Sequence, residues 1–537
     1  MTKRSTLALS AGILASALLL SGCGGGEGGG EGKDAGSQDL RIVAAEPQAG
    51  LDPAIAVTQA SLRMTELMYD TLVDYDGDNN LIPMVAESWK LSDDGLTYVF
   101  TIRENAAFSD GTTITADDVV FSLERAGASE SLTASFAVVD SIEATGEKEV
   151  TVTLSTPSRV FLNSLAATGQ AAILSKAAVE ADPDYFTQPV ATSGPWSLKE
   201  FVPSSHATLV ANQNYWNKGY PVLQTIEYTF STDGTANATA LETGTVDMTY
   251  NMTPADAVRL DEAGSIQYFE APSAGLVSWG MDKTKAPFDN VDVRQAVAYM
   301  VPRQDRLDTC WEGIGPVSFG DLIFPDQSFY VEGEQRFDVS KDEALRTAAK
   351  LLDGAGWVEG PDGVRVSQGV SGLADGTPFE MTVPYENGWA QARCNTEMLQ
   401  QYLLPLGITV TPEAYDAATF WTDVAAEKFT FYHGGNSYAT TDIYFAQTFM
   451  CDGSANDLLA KWCDPKVDKL ITQAQETSDL DEAAALYRQV QDIILDEQPM
   501  ITTGAQYAVI GTSPKLSGFY PRADASNRAL IYASLKN

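Results

Sequence analysis

The chain reads as a mixed α/β protein of more than one lobe. Two observations carry that reading. Its 537 residues, 44% of them hydrophobic, exceed what one core of ordinary size needs. Segments with the two-residue alternation of half-buried strands also intermingle with segments of helical period and helix-capping chemistry. No repeat of fixed length is visible, which argues against a solenoid or propeller.

The elements follow in order. "DYDGDNNLIPMV" opens with Asp74, Asp76 and Asp78 at the first three ligand positions of a calcium loop. Asn79 stands where that loop needs glycine and Val85 where it needs glutamate, so a hairpin turn is expected instead. "LTYVFTIR" (Leu96 to Arg103) and "EVTVTLS" (Glu149 to Ser155) alternate as strands do. "TADDVVFSLERA" has Thr115 and Asp118 in capping-box spacing and predicts a helix. Ser340 and Glu343 repeat that signal before a helix that stops at Gly354. "DLDEAAALYRQVQDIILDEQP" predicts a long amphipathic helix ended by Pro499.

The amino terminus is a targeting segment. Lys3 and Arg4 precede the apolar run Thr6 to Leu20, which is too short to span a bilayer but suits a secretory signal. It closes on Leu20-Ser21-Gly22-Cys23, which resembles the lipobox of bacterial lipoproteins; residues 1–22 are then a signal peptide and Cys23 the lipidated residue. The Gly-rich stretch that completes residues 23–37 is a tether with a reach of about 20 Å. No later stretch is apolar enough to cross a membrane, so the expected location is the outer face of the cell membrane, through a lipid anchor.

Composition excludes more than it selects. A net charge of −39 repels nucleic acid and anionic lipid, and is otherwise a solubilising surface. Four cysteines remain after Cys23, an even number in an oxidising compartment. They allow three pairings. Cys451 with Cys463 is favoured by its short, turn-rich loop, worth about 3 kcal/mol in the chain-entropy account, leaving Cys310 to Cys394. No zinc spacing is present and no metal or cofactor is expected. With only His206 and His433, and no G-x-S-x-G, H-E-x-x-H or P-loop, no catalytic set stands out. A secreted hydrolase is therefore disfavoured, and His206 reads as a strand surface residue.

"AAEPQAGLDPAI" (Ala44 to Ile55) and "LIPMVAESWKLSDDGLTYVFTIRENAAFSDGTTITADDVVFSLER" (Leu81 to Arg125) closely resemble the signature of the family 5 extracellular solute-binding proteins. "SGPWSL" (Ser193 to Leu198), "NQNYWNKGYPVLQTIEY", "ALETGTVDM", "APFDNVDVRQAVAYM", "AAKLLDGAGW" and "DPKVDKLI" continue it along nearly all of the mature chain. These are the peptide-, nickel- and oligosaccharide-binding components of bacterial ABC importers. The resemblance implies a two-lobe binding-protein fold with a ligand cleft, closing at a hinge. Lobe 1 is expected at 38–284 plus 500–537, with an inserted subdomain at about 60–190. Lobe 2 is expected at 285–499, with crossovers near Met281–Ala286 and Pro499. It further implies a monomer that delivers its ligand to ABC permease subunits.

Peptide-binding relatives carry an aspartate for the peptide's amino terminus in a loop that matches "FYHGGNSYATTDIYF" (Phe431 to Phe445). Ser437 stands there, with Asp442 a few residues on. Where dipeptide binders place an arginine for the carboxylate, this chain has Pro384 and Tyr385, and Arg393 comes only later. An unpaired buried charge costs several kcal/mol, so the expected ligand is an oligopeptide held through its backbone, with a neutral oligosaccharide as the alternative. Nickel is disfavoured by the two histidines, and a bulky apolar ligand such as haem stays open. Expected ligand contacts are Thr58, Gln59, Trp279, Tyr385, Trp389, Tyr432, His433, Asn436 and Ser437. Each has a plainer reading as core or turn.

Overall fold

The computed structural model describes residues 37–537 except Ala49, Val57, 78–79, 130–131, 167–168, 272–275, Asp326, 388–389, 437–439, Asp457, Ser478, Gln506, 523–525 and Asn537. The signal, Cys23, nearly all of the tether, Trp389 and Ser437 lie outside the described residues, as does the side chain of Asn436.

Strand Asp39–Ala44 is the centre of a seven-stranded sheet. It pairs in parallel with Thr225–Phe230 on one side and Met248–Thr249 on the other. Leu40 and Ile42 are fully buried there, as a strand covered on its faces requires. Antiparallel neighbours complete the order: Gln267–Ala271, Ala508–Thr512, Met248–Thr249, Asp39–Ala44, Thr225–Phe230, His206–Ala211, Trp196–Val202. The carboxyl-terminal strand Ala508–Thr512 thus closes onto the amino-terminal sheet.

Residues between about 72 and 191 build their own core. Thr97–Ile102 and Glu149–Leu154 pair antiparallel and point Tyr98, Phe100, Ile102, Val150, Val152 and Leu154 into it. Helix Ala116–Gly127 lays Val119 and Leu123 in the same cluster, and both halves of its Thr115–Asp118 capping box form. The aspartate-rich turn joins strands Val73–Tyr75 and Leu81–Pro83 as an antiparallel hairpin, with Asp76 accepting from the Asn80 amide at 2.9 Å.

A third core follows strand Leu276–Met281. That strand is the middle of a three-stranded antiparallel sheet, between Phe431–Asn436 and Ile501–Ala505. Beside it, Glu380–Glu386 and Thr409–Tyr415 pair in parallel. A parallel pair needs a long crossover, and helix Ala390–Leu403 supplies it. Helices Lys341–Gly354 and Leu480–Glu497 form as their caps direct, with Ser340 accepting from the Glu343 amide and Asp479 from those of Asp481 and Glu482. Disulfides join Cys310 to Cys394 and Cys451 to Cys463.

The chain passes twice between these two sheets. The chain leaves the seven-stranded sheet at Ala271 and enters the three-stranded one at Leu276; it leaves that at Ala505 and returns at Ala508. The transitions therefore precede Met281–Ala286 and follow Pro499. Strands Leu276–Met281 and Ile501–Ala505 pair with each other and with Phe431–Asn436, so hydrogen bonding holds both on the far side of the crossing. No helix among the described residues is long and apolar enough to cross a membrane.

Candidate functional site

The two crossings lie side by side, because Leu276 pairs with Ala505 on one edge and with Asn436 on the other. The three-stranded sheet carries Trp279, Tyr432, His433 and Asn436 of the residues expected to meet ligand. The structure puts their side chains in different places.

Trp279 and His433 are directly opposed across the strand pair. Their rings meet edge to face at 5.4 Å, and Trp279 is fully buried among Met281, Phe288, Val293 and Leu399. His433 is 1% exposed, and its Nε2 lies 2.9 Å from Asn395 Nδ2. Burial, reinforced by the nearby Arg306 charge, lowers the imidazole to about 3, so the ring is neutral at physiological pH. Tyr432 is equally buried, its hydroxyl donating to the Leu458 carbonyl and its ring beside Phe420. Gly280 permits this: a Cβ there would stand 2.3 Å from the Tyr432 ring. Tyr385 is 7% exposed in strand Glu380–Glu386. All four side chains are buried in this structure, and every residue of the Trp279 strand is buried with them.

Thr58 and Gln59 open helix Gln59–Met68. Thr58 is its N-cap, accepting from the Ser61 amide at 3.3 Å, and Gln59 is exposed. Asp52 of the "LDP" stretch is structural, caps the short turn Pro53–Ile55 and pairs with Arg125 at 2.8 Å.

Asp442 is not placed to receive an ammonium group. It is 1% exposed, and its Oδ1 accepts from Arg159 Nη2 at 2.9 Å and from the Tyr487 hydroxyl at 2.5 Å. Burial raises its carboxyl above the usual range, and the Arg159 charge only partly offsets this. Arg393, the late alternative for a carboxylate, is exposed and pairs with Glu397 at 2.7 Å.

Sequence reasoning missed buried arginines such as Arg303, Arg306, Arg522 and Arg528, and the half-buried Arg159. Nothing in composition or spacing separates a buried arginine from a surface one. Arg522 and Arg528 pair with Asp74 and Asp70 at 2.8 and 2.6 Å. Trp216 also donates to Asp70, at 2.8 Å. Asp74, Arg522 and Arg528 of this quartet line a cavity of about 120 Å³ together with Tyr75, Trp216, Tyr520 and Tyr532. The quartet's two acids and two bases neutralise one another. Among the described residues no cluster of His, Cys, Asp and Glu could hold a metal ion.

Separate cores joined through two adjacent crossings define a two-lobe binding-protein fold, and solved structures share it. NikZ of Campylobacter jejuni, solved with Ni(L-His), superposes with a TM-score of 0.78 at 19% identity, covering 93% of this chain and 99% of that one. AppA of Bacillus subtilis, an oligopeptide-binding protein solved with a nonapeptide, gives 0.76 at 22% identity, with coverage of 93% and 99%. The chain belongs to the bacterial extracellular solute-binding proteins, family 5, whose middle-region model matches residues 80–457. Among relatives, the di/tripeptide-binding protein 3 of Pseudomonas aeruginosa is 27% identical over 491 residues, 84% of this chain and 86% of its own. The glutathione-binding protein GsiB of Salmonella typhi is 26% identical over 509 residues, 91% and 93% of the two chains. The chain is thus an extracytoplasmic solute-binding protein and not an enzyme.

Proposed function

We propose that this protein is the lipid-anchored binding component of an ABC importer that captures short peptides and delivers them to a membrane permease. One observation carries the peptide reading: the di/tripeptide- and dipeptide-binding relatives align with 84% and 88% of this chain at 27% identity. Lobe 1 comprises about 38–271 and 508–537, lobe 2 about 276–505, and ligand bridges them and draws them closed. Thr58 and Gln59 face the ligand from lobe 1. Trp389, Asn436 and Ser437 contribute contacts from lobe 2. With Asp442 paired inside the protein and Arg393 paired with Glu397 on its surface, the peptide is held chiefly through backbone hydrogen bonds. Lipid on Cys23 and the glycine tether keep the binder beside its permease, which raises effective concentration without a new contact.

A thermal-shift panel of di- to pentapeptides beside neutral oligosaccharides tests this reading. A ligand at 100 times its Kd adds about 2.7 kcal/mol to stability. Stabilisation by peptides alone is expected. Stabilisation by sugars alone would overturn the substrate class while leaving the family intact.

A further inference from the structure

Helix Arg303–Cys310 turns two guanidinium groups into the protein. Arg303 is 3% exposed and Arg306 1%. Arg303 is provided for: Nη1 donates to the Ala298 carbonyl at 2.6 Å, and the guanidinium lies 4.2 Å over the Phe337 ring. Arg306 is not. Its Nη2 reaches the Thr503 carbonyl at 3.4 Å, near the limit of a hydrogen bond. Its Nε and Nη1 are buried and meet no acceptor among the described residues. The acids of the same helix cannot help: Asp305 and Asp308 are exposed and engage Tyr402 and Gln304.

The surroundings add donors rather than acceptors of charge. His433, close enough for the Arg306 charge to act on it, is neutral. Trp279, opposed to His433 on the adjacent strand, has a buried indole N–H with no acceptor among the described residues. Burial lowers Arg306 to about 10 and Arg303 to about 9, and no carboxylate offsets either shift. An arginine does not shed its proton in a protein. A charge removed from water without a partner is among the costliest arrangements a fold can hold. Among the described residues no group supplies the missing partner.

We infer that a small monovalent anion, a halide or a carboxylate, binds against Arg306 beneath the three-stranded sheet. Strand Ile501–Ala505, whose Thr503 touches Arg306, leads directly into the second crossing. An anion held there stiffens the point where the two lobes join. Its source is either free anion in solution or a carboxylate carried by the captured solute. The solute arm rests on the peptide reading above, and the free-anion arm does not.

The test measures thermal unfolding of the purified protein at constant potassium and ionic strength, with bulky gluconate replaced stepwise by chloride, bromide or acetate. Peptides with free and with amidated carboxyl termini are compared in gluconate. Arg306→Met, close in volume but uncharged, is the matched variant. A saturable rise in Tm of several degrees with chloride or acetate, absent in R306M, establishes the site for free anion. A flat anion series with stabilisation by free-acid but not amidated peptide, lost in R306M, assigns it to the solute. If R306M does not fold, bromide anomalous scattering from wild-type crystals decides, with a peak expected beside Arg306. The inference falls if Tm ignores both anion identity and the peptide terminus, if R306M keeps the dependence, or if no bromide peak lies there. Failure of every peptide alongside a positive chloride series would overturn the peptide reading and leave this site standing.

Discussion

Replacing Asp442 by asparagine should be among the most damaging single changes in the protein, because it leaves a cation without its counter-charge. The carboxylate takes Arg159 at 2.9 Å and the Tyr487 hydroxyl at 2.5 Å, with side-chain exposures of 1% for Asp442 and 15% for Arg159. Breaking a buried pair by removing one partner costs about 3–5 kcal/mol. Arg159 also donates to the Ala474 carbonyl at 2.8 Å and lies 4.4 Å over the Phe329 ring, which places the cost near 3 kcal/mol. The pair is a tie between cores: Phe161 and Leu165 of the Arg159 helix belong to the 72–191 core, while Tyr444 and Phe445 of the Asp442 helix pack among Phe324, Val467 and Tyr487. Urea unfolding followed by tryptophan fluorescence measures it. Asp442→Asn should lower the midpoint by about 1 M, taking slopes of about 1–3 kcal/mol/M as a guide. The double variant Arg159→Met/Asp442→Asn should cost less than the sum of its singles by about 1–3 kcal/mol, since neither charge is then stranded. Additive costs would refute the pairing argument.

Two further outcomes follow from single groups. His433, neutral and lowered to about 3 in the fold from an ordinary 6.5, takes up its proton first in the unfolded chain on acidification. Its contribution is intact above pH 6.5 and is lost as pH falls toward 3, amounting to about 1.5–2 kcal/mol between pH 6.5 and 5. Denaturant titrations of wild type and His433→Gln across that window should show the variant with the shallower loss; parallel curves would mean that the histidine is not buried neutral. Gly194 of the "SGPWSL" motif is needed for close approach, because a Cβ there would stand 2.5 Å from the Met68 carbonyl carbon and 2.6 Å from the Tyr69 nitrogen. Gly194→Ala should cost at least the upper part of the about 1–3 kcal/mol range of overpacking, and an unchanged unfolding midpoint would contradict it.

Local chemistry was readable wherever a residue acts on its own neighbours in the chain. Thr115 and Asp118 cap their helix, Ser340 and Asp479 theirs, and alternation marked Thr97–Ile102 and Glu149–Leu154 as strands. The candidate site was less readable. Trp279, Tyr432 and His433 stand where the family pattern leads toward ligand, but the strands that flank theirs and the helices over them fill the space around their side chains. Asp442 looked available as an anchor until Arg159, from a distant stretch of chain, occupied it.

By itself the amino-acid sequence determined the kind of molecule: its hydrophobic periodicities and caps set the elements, and its long motifs set the family. Those signals act over a few residues, or are carried by order along the chain, so they survive in one dimension. Only the tertiary structure decided where the chain changes sheets and which polar groups face each other. The crossings at Ala271–Leu276 and Ala505–Ala508 depend on strand pairing between segments far apart in sequence. The same holds for Arg159 against Asp442 and for Arg306 against the Thr503 carbonyl. Burial and charge pairing are properties of three-dimensional neighbours, and no spacing rule records them.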